Sequence, residues 1–186
     1  MQIRLAIPEI QTDSIVDGKG IRAVIWTQGC RHHCKGCHNP MTHSFTDGYL
    51  VDVEDIKKDI ARMQGQDGIT LSGGDPLEQV DACLEIAKYC QSIKLNVWCY
   101  TGYTYEELLD KAKKEPNIIE LLENVDVLVD GRFVLEEKSF DVPFRGSKNQ
   151  RLIDSKRSLK LGKVVLANFD ELDSLLNSSS KMKVFV

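Results

Sequence analysis

Four short apolar runs recur along the chain, and each ends in a glycine-bearing or polar break. Val24-Ile25-Trp26 runs into a cysteine-rich loop, Ile69-Thr70-Leu71 into S-G-G-D-P, residues 95–100 (LNVWCY) into T-G-Y, and residues 125–129 (VDVLV) into D-G-R-F. Between them, apolar residues fall at helical spacing: Val53, Ile56, Ile60 and Met63, then Val80, Cys83, Leu84, Ala87 and Cys90, then Leu108, Leu109 and Ala112. Pro116 restarts a short helix carrying Ile119 and Leu122. Strands alternating with helices predict an α/β fold with a mostly parallel sheet and flanking helices, whose ligands gather at the loops beyond the strands' carboxyl ends. All four unusual segments occupy that position, so a site is expected there.

Composition narrows what the site can serve. With 186 residues, 42% of them hydrophobic and 28% charged, the chain suits one domain with a buried core. Its net charge is −4 with Lys and Arg scattered, so the basic stripe of a nucleic-acid binder is missing. No apolar run approaches the ~20 residues of a membrane span, and the opening stretch M-Q-I-R-L-A-I-P-E-I-Q-T-D-S is too short and polar for a secretory signal. A cytoplasmic protein without membrane partners is expected. In that reducing setting, clustered cysteines are more often metal ligands or catalysts than disulfides. Past Asp130, F-R-G-S-K-N-Q-R-L-I-D reads as a turn between short extended pieces. Residues 1–158 form the main domain of this reading, and residues 159–186 a C-terminal extension, read as strand, helix, strand, packed on it.

The loop T-Q-G-C-R-H-H-C-K-G-C-H-N-P places Cys30, Cys34 and Cys37 in C-x3-C-x2-C spacing, with Gly29 and Gly36 letting the backbone wrap closely around a bulky group. Thiolates select zinc or iron–sulfur clusters. A structural zinc wants four protein ligands, typically from two pairs. No second pair exists, since Cys83 and Cys90 lie on an apolar helical face and Cys99 within a strand, all three reading as core. His32, His33, His38 or His43 could complete a zinc site, which keeps zinc as the alternative. Three thiolates on a four-iron cubane, by contrast, leave one iron open.

C-x3-C-x2-C after a first strand, followed by G-G-D-P one βα unit later, resembles the radical S-adenosylmethionine (SAM) superfamily. The resemblance implies a partial (β/α) barrel, a [4Fe-4S] cluster on Cys30, Cys34 and Cys37, and SAM chelated to the open iron. It further implies that reductive cleavage of SAM gives a 5′-deoxyadenosyl radical that takes a hydrogen atom from the substrate. Gly36, Cys37 and His38 would lie along the adenine, and Ser72, Gly73, Gly74 and Asp75 would meet the SAM amino group through their backbone. The family often has an aromatic residue before the third cysteine. Here that residue is Gly36, which leaves the adenine contacts to the main chain. Thr101 and Asp130 are further cofactor-binding candidates at strand ends, each also readable as a turn residue. Taken alone, S-G-G-D-P reads as a tight turn opening a helix. The remaining histidines read as loop surface.

G-C-R-H-H-C-K-G-C-H-N-P, L-S-G-G-D-P-L, T-G-Y-T-Y-E-E-L, V-D-V-L-V-D-G-R-F-V and F-R-G-S-K-N-Q-R-L-I-D together are similar to the activating enzymes of anaerobic (class III) ribonucleotide reductases. That resemblance, running from about Asp13 to Asp154, implies an enzyme that generates a glycyl radical on the reductase's large subunit, with an electron donor such as flavodoxin or ferredoxin. Arg132, Arg145, Lys148 and Arg151 then read as contacts to partner or SAM carboxylate, or as solvated surface charge. No general base is expected, because hydrogen-atom transfer moves proton and electron together. The alternatives are an activase for another glycyl radical enzyme, a small-molecule radical SAM enzyme, or a non-catalytic zinc- or cluster-binding module.

Overall fold

Residues 1–168 are described by the computed structural model. Along the chain the strands are β1 (Gln2–Leu5), β2 (Gln11–Ser14), β3 (Arg22–Thr27), β4 (Tyr49–Asp52), β5 (Gly68–Gly73), β6 (Asn96–Tyr100), β7 (Val127–Asp130) and β8 (Arg151–Asp154). The helices are α1 (Val53–Arg62), α2 (Val80–Ser92), α3 (Tyr105–Lys111), α4 (Asn117–Glu123) and α5 (Ser155–Leu161). The four apolar runs are β3, β5, β6 and β7, and each pairs in parallel with the next. The sheet order is β4-β1-β3-β5-β6-β7-β8, with β2 also on β3.

The flanks are antiparallel, a pairing not expected from the sequence, although β8 lies within the stretch read as a turn between short extended pieces. β1 pairs β3 and β4, β2 pairs β3, and β8 pairs β7. Each of these edge strands is four residues long. β1 buries only Ile3 and Leu5 while Gln2 and Arg4 turn outward, too brief an alternation to read as a strand. The architecture is therefore mixed α/β with a mostly parallel centre. Residue 159, the expected start of the extension, lies inside α5. Beyond it, Asp154 N–H donates to Val165 and Ala167 N–H to Leu152, both at 2.9 Å, so the chain continues along the β8 edge. The rest of the strand–helix–strand expectation lies outside the described residues.

Alternation along the strands divides the core. Ala23, Ile25, Ile69, Leu71, Val97, Cys99 and Leu128 face the helices, meeting Ile56 and Ile60 of α1, Cys83, Ile86 and Cys90 of α2, and Ile118 and Leu121 of α4. Trp98, Val127, Val129 and Leu152 pack on the opposite face with Tyr100 and Phe144. There the first residue of β3, Arg22, is fully buried. Its guanidinium donates to Thr70 Oγ1, the Ile69 carbonyl and Asn96, and lies 5.3 Å from the Trp98 ring centre. Burial holds its pKa down to about 10, still well above neutrality. Arg22 and Trp98 thus fill this face near the strands' amino ends.

Helix termini follow local chemistry. The Asp52 carboxylate caps α1 by accepting from Glu54 N–H, and Thr104 with Glu107 forms a reciprocal capping box on α3. Truncating Leu71, fully buried at the centre of the parallel sheet, should cost about 2–5 kcal/mol in Leu71→Ala. Urea denaturation checks this, with Phe140→Ser, whose side chain is almost wholly exposed, expected to change stability by less than ~0.5 kcal/mol.

Candidate active site at the carboxyl ends of the parallel strands

Register sets the height of the site. β3 and β5 pair in step from Arg22–Gly68 to Thr27–Gly73, so the cysteine loop and the S-G-G-D-P turn leave the sheet side by side. They are stitched together at once. Gly74 N–H donates to Thr27 at 2.8 Å, Asp75 N–H to Gly29 at 2.9 Å, and Thr27 Oγ1 to the Ser72 carbonyl at 3.0 Å. A Cβ at Gly74 would stand 2.4 Å from the Gly29 oxygen, so only glycine allows this approach.

All six cysteines are free thiols. Cys30 is buried; Cys34 and Cys37 are half-buried. The Cys37 sulfur accepts from Asn39 N–H at 3.4 Å. Burial, then the nearby Asp75, Cys34 and Cys37, outweighs the His32 N–H and pushes the Cys30 thiol up to about 11, and burial raises Cys34 also. The three thiols therefore lie within electrostatic reach of one another. Yet among the described residues no three His, Cys, Asp or Glu side chains converge closely enough to hold a single metal ion. A tetrahedral zinc at ~2.3 Å would need its sulfurs within about 4 Å of one another. Three thiols in one loop are the soft donors that an iron–sulfur cluster takes. Cys83, Cys90 and Cys99 are instead fully buried in the helix-facing core. Desolvation pushes Cys90 up to about 12.

Asp75 is fully buried, and its carboxylate is the meeting point of three loops. It accepts from Leu77 N–H at 2.9 Å in its own turn, from Thr101 Oγ1 at 2.9 and 3.0 Å and Gly102 N–H at 3.0 Å after β6, and from His32 Nε2 at 2.8 Å in the cysteine loop. The expectation that His32 lies on the loop surface is corrected: its side chain is 3% exposed. Its neighbour Arg31 reaches the same turn, pairing with Glu78, which also accepts from Tyr103 Oη at 2.7 Å. Burial opposes ionisation of Glu78, but the hydrogen bonds from Arg31 and Tyr103 and the Arg31 charge hold its pKa below the ordinary carboxylate value. His33 and His43 are exposed or partly so, and meet through Nδ1 atoms 3.2 Å apart.

Thr101 and Asp130 are both committed inside the protein. The Thr101 hydroxyl goes to Asp75. Asp130 accepts from Tyr105 N–H at 2.7 Å, at the start of α3, and from Arg151 Nε at 3.0 Å, with a second short contact to the same guanidinium. Arg151 also pairs with Glu106, while Arg132 donates to His32 Nδ1 at 3.2 Å and reaches Glu107. Arg145 donates to the Gln150 carbonyl. These three arginines hold the loop ends rather than standing as loose surface charge. Gly36 sits in the turn closed by Cys37 N–H to the Cys34 carbonyl at 3.1 Å. His38 tilts against Phe133 at 4.8 Å. Phe133 and Leu135, which follow β7, cover the loop at Cys34, Gly36 and His38, supplying aromatic surface that position 36 lacks. Sequence reading missed Phe133, Arg31 and Glu78, and took His32 only as a zinc-ligand alternative or loop surface. Only the opposite charges of Arg31 and Glu78 hinted at a pairing.

Comparison with known proteins agrees with this donor set. Residues 16–153 match the model of a family described as a 4Fe-4S single cluster domain. Proteins named anaerobic ribonucleoside-triphosphate reductase-activating protein are similar over most of their length. The one from Haemophilus influenzae is 34% identical over 148 residues, 73% of this chain and 89% of the relative. Those from Vibrio cholerae and Escherichia coli K12 are 35% and 34% identical over 145 and 151 residues, covering 89% and 90% of the relatives and 73% of this chain. The chain belongs to the family of anaerobic ribonucleoside-triphosphate reductase-activating proteins.

Within this member of the activating-protein family, the stitched loops make two stability predictions. Asp75→Asn leaves donors without an acceptor in a dry site and should destabilise the protein by about 2–5 kcal/mol in urea denaturation. Glu78 acts through its lowered pKa. Its contribution is fully present above the unfolded-state pKa and is lost as pH falls from there toward the lower folded value. Stability measured between about pH 5 and 3 should therefore fall less steeply for Glu78→Gln than for the parent; equal slopes would show that the Arg31–Glu78–Tyr103 contacts carry no pH-dependent stability.

Proposed function

We propose that this chain is the activating enzyme of an anaerobic ribonucleotide reductase, a radical SAM enzyme of the partial-barrel type that generates a glycyl radical on the reductase's large subunit. The observation that carries the reading is the junction of the three-cysteine loop with the glycine turn at the level ends of β3 and β5. Cys30, Cys34 and Cys37 would hold a [4Fe-4S] cluster. Ser72, Gly73, Gly74 and Asp75, with Gly36, Cys37 and His38, would border SAM. The two groups together would supply reductive cleavage of a sulfonium and abstraction of a hydrogen atom.

The protein's own contribution is placement. Gly74 and Asp75 spend their N–H groups on Thr27 and Gly29, so an ammonium group would meet this turn through carbonyl oxygens. Thr101 and Asp130 act in this reading by holding loops, the first through Asp75 and the second through Arg151 and α3. Beside the third cysteine opens a groove of about 410 Å³ lined by Ile15, Val16, His38, Tyr100, Phe140 and Phe144. Its rim carries Ile15, Val16 and Phe140 at 72%, 70% and 92% exposure. An apolar, open groove suits a polypeptide that brings its own enclosure. No helix of the described residues is long and apolar enough to cross a membrane. A cytoplasmic setting and a flavodoxin- or ferredoxin-type electron donor complete the reading.

Two measurements test it. Anaerobic reconstitution should load about four irons per chain, with Cys34→Ala losing the cluster and SAM cleavage and Cys83→Ala keeping both; one tightly held zinc and no iron would sink the proposal. Reduced, reconstituted protein mixed with SAM and an anaerobic reductase should give a glycyl radical by electron paramagnetic resonance. A competent reductase left without a radical by cluster-loaded protein would move the assignment to another glycyl radical enzyme.

A further inference from the structure

The two residues after Cys30, Arg31 and His32, both reach the glycine turn, but in different surroundings. Arg31 meets Glu78 with its own side chain 62% exposed. His32 meets Asp75 with the imidazole 3% and the carboxylate 0% exposed. An arginine can only donate, so the 3.2 Å contact from Arg132 Nε makes His32 Nδ1 the acceptor and leaves Nε2–H to donate to Asp75. Both ring nitrogens are thereby taken by protein. The ring has a slot of its own: a Cβ on Gly102 would stand 2.3 Å from its Cδ2, and Tyr103 meets it edge-on at 4.5 Å. One imidazole thus touches the loops that follow β5, β6 and β7 from within the loop that follows β3.

We propose that His32 is a positioning residue for cofactor binding, which fixes the cysteine loop against the glycine turn so that thiols and turn carbonyls address one bound ligand at constant spacing. The inference rests on the cluster-and-SAM reading above and assigns His32 no bond to iron. Arg31 by contrast reaches a single loop, through Glu78, with its own side chain 62% exposed and the carboxylate 3% exposed. Groups that orient a metal site from outside its ligands commonly change its affinity or activity 10–100-fold.

The experiment compares anaerobically reconstituted parent protein with His32→Leu, His32→Gln, Gly102→Ala and Lys58→Ala. Three quantities are read: iron per chain, SAM affinity by calorimetry, and the change in the reduced cluster's paramagnetic resonance spectrum when SAM is added. His32→Leu should load iron like the parent yet bind SAM about tenfold or more weakly, with the SAM-induced spectral change reduced. Gln can present an N–H where Nε2 stood and should restore both to within about threefold. Gly102→Ala, which displaces the ring without altering its chemistry, should resemble His32→Leu; Lys58→Ala, at an exposed position on α1, should resemble the parent. Parent-like SAM affinity and spectrum in His32→Leu would overturn the inference. Loss of iron in both His32 variants would overturn it too, assigning the residue to folding of the loop. A parent protein that takes up neither iron nor SAM defeats the functional reading itself, and the inference with it.

Discussion

A buried carboxylate that must be satisfied organises this molecule. Asp75 lies out of water, where an unpaired charge costs several kcal/mol. Four donors answer it, and three of them come from outside its own turn. Each donor drags a segment with it: Leu77 N–H closes the turn into its short 3-10 helix, Thr101 and Gly102 fix the exit from β6, and His32 fixes the cysteine loop. None of these loops could relax independently without stranding a donor or acceptor. The cost of burying Asp75 is thus the source of the site's rigidity.

That dependence explains why the sequence revealed the site's outline and not its wiring. β3, β5, β6 and β7 were legible because each is an apolar run ending in a break, and α1 to α4 because their stripes recur at helical spacing. The flanking strands β1, β2 and β4 were not, being four residues long with at most alternate or end residues buried, whereas β8 falls in the stretch read as short extended pieces and only its antiparallel pairing went unread. α5 was missed for a related reason. Its S-K-R-S-L-K-L buries two serines rather than an apolar stripe, and Ser155 Oγ is anchored on the Leu122 carbonyl, a contact no periodicity announces. The three cysteines and S-G-G-D-P stood out by spacing. His32 did not, because a histidine among other histidines carries no sign of which one is buried; its partner lies 43 residues away.

The same logic governs the far side of the site. Asp130 ends β7 as Asp75 follows β5, and it too is nearly inaccessible. Arg151, at the start of antiparallel β8, bridges it to Glu106 in the first turn of α3, while Asp130 itself receives Tyr105 N–H from that helix's start. An acidic group at a helix's amino end is favoured by the exposed N–H groups there. The D-G-R-F turn is thereby held on both flanks, which places the Phe133 ring at His38. Arg151 of the antiparallel edge thus steadies the turn that packs beside the cysteine loop.

These commitments bear on the chemistry the protein itself can offer. The carboxylates of Asp75 and Asp130 accept from donors within the fold, His32 is bonded through both nitrogens, and the Thr101 hydroxyl is spent on Asp75. A general base needs a free lone pair within hydrogen-bond reach of the proton it takes, and these four side chains have theirs engaged elsewhere. Such a site is poorly arranged for proton shuttling and well arranged for holding. Under the function proposed above, hydrogen-atom transfer would ask for that division of labour, because proton and electron would leave the substrate together and the difficult bond-breaking would belong to the bound groups. What the fold must provide is a fixed distance between them, and the buried contacts among the loops after β3, β5, β6 and β7 are built to keep one.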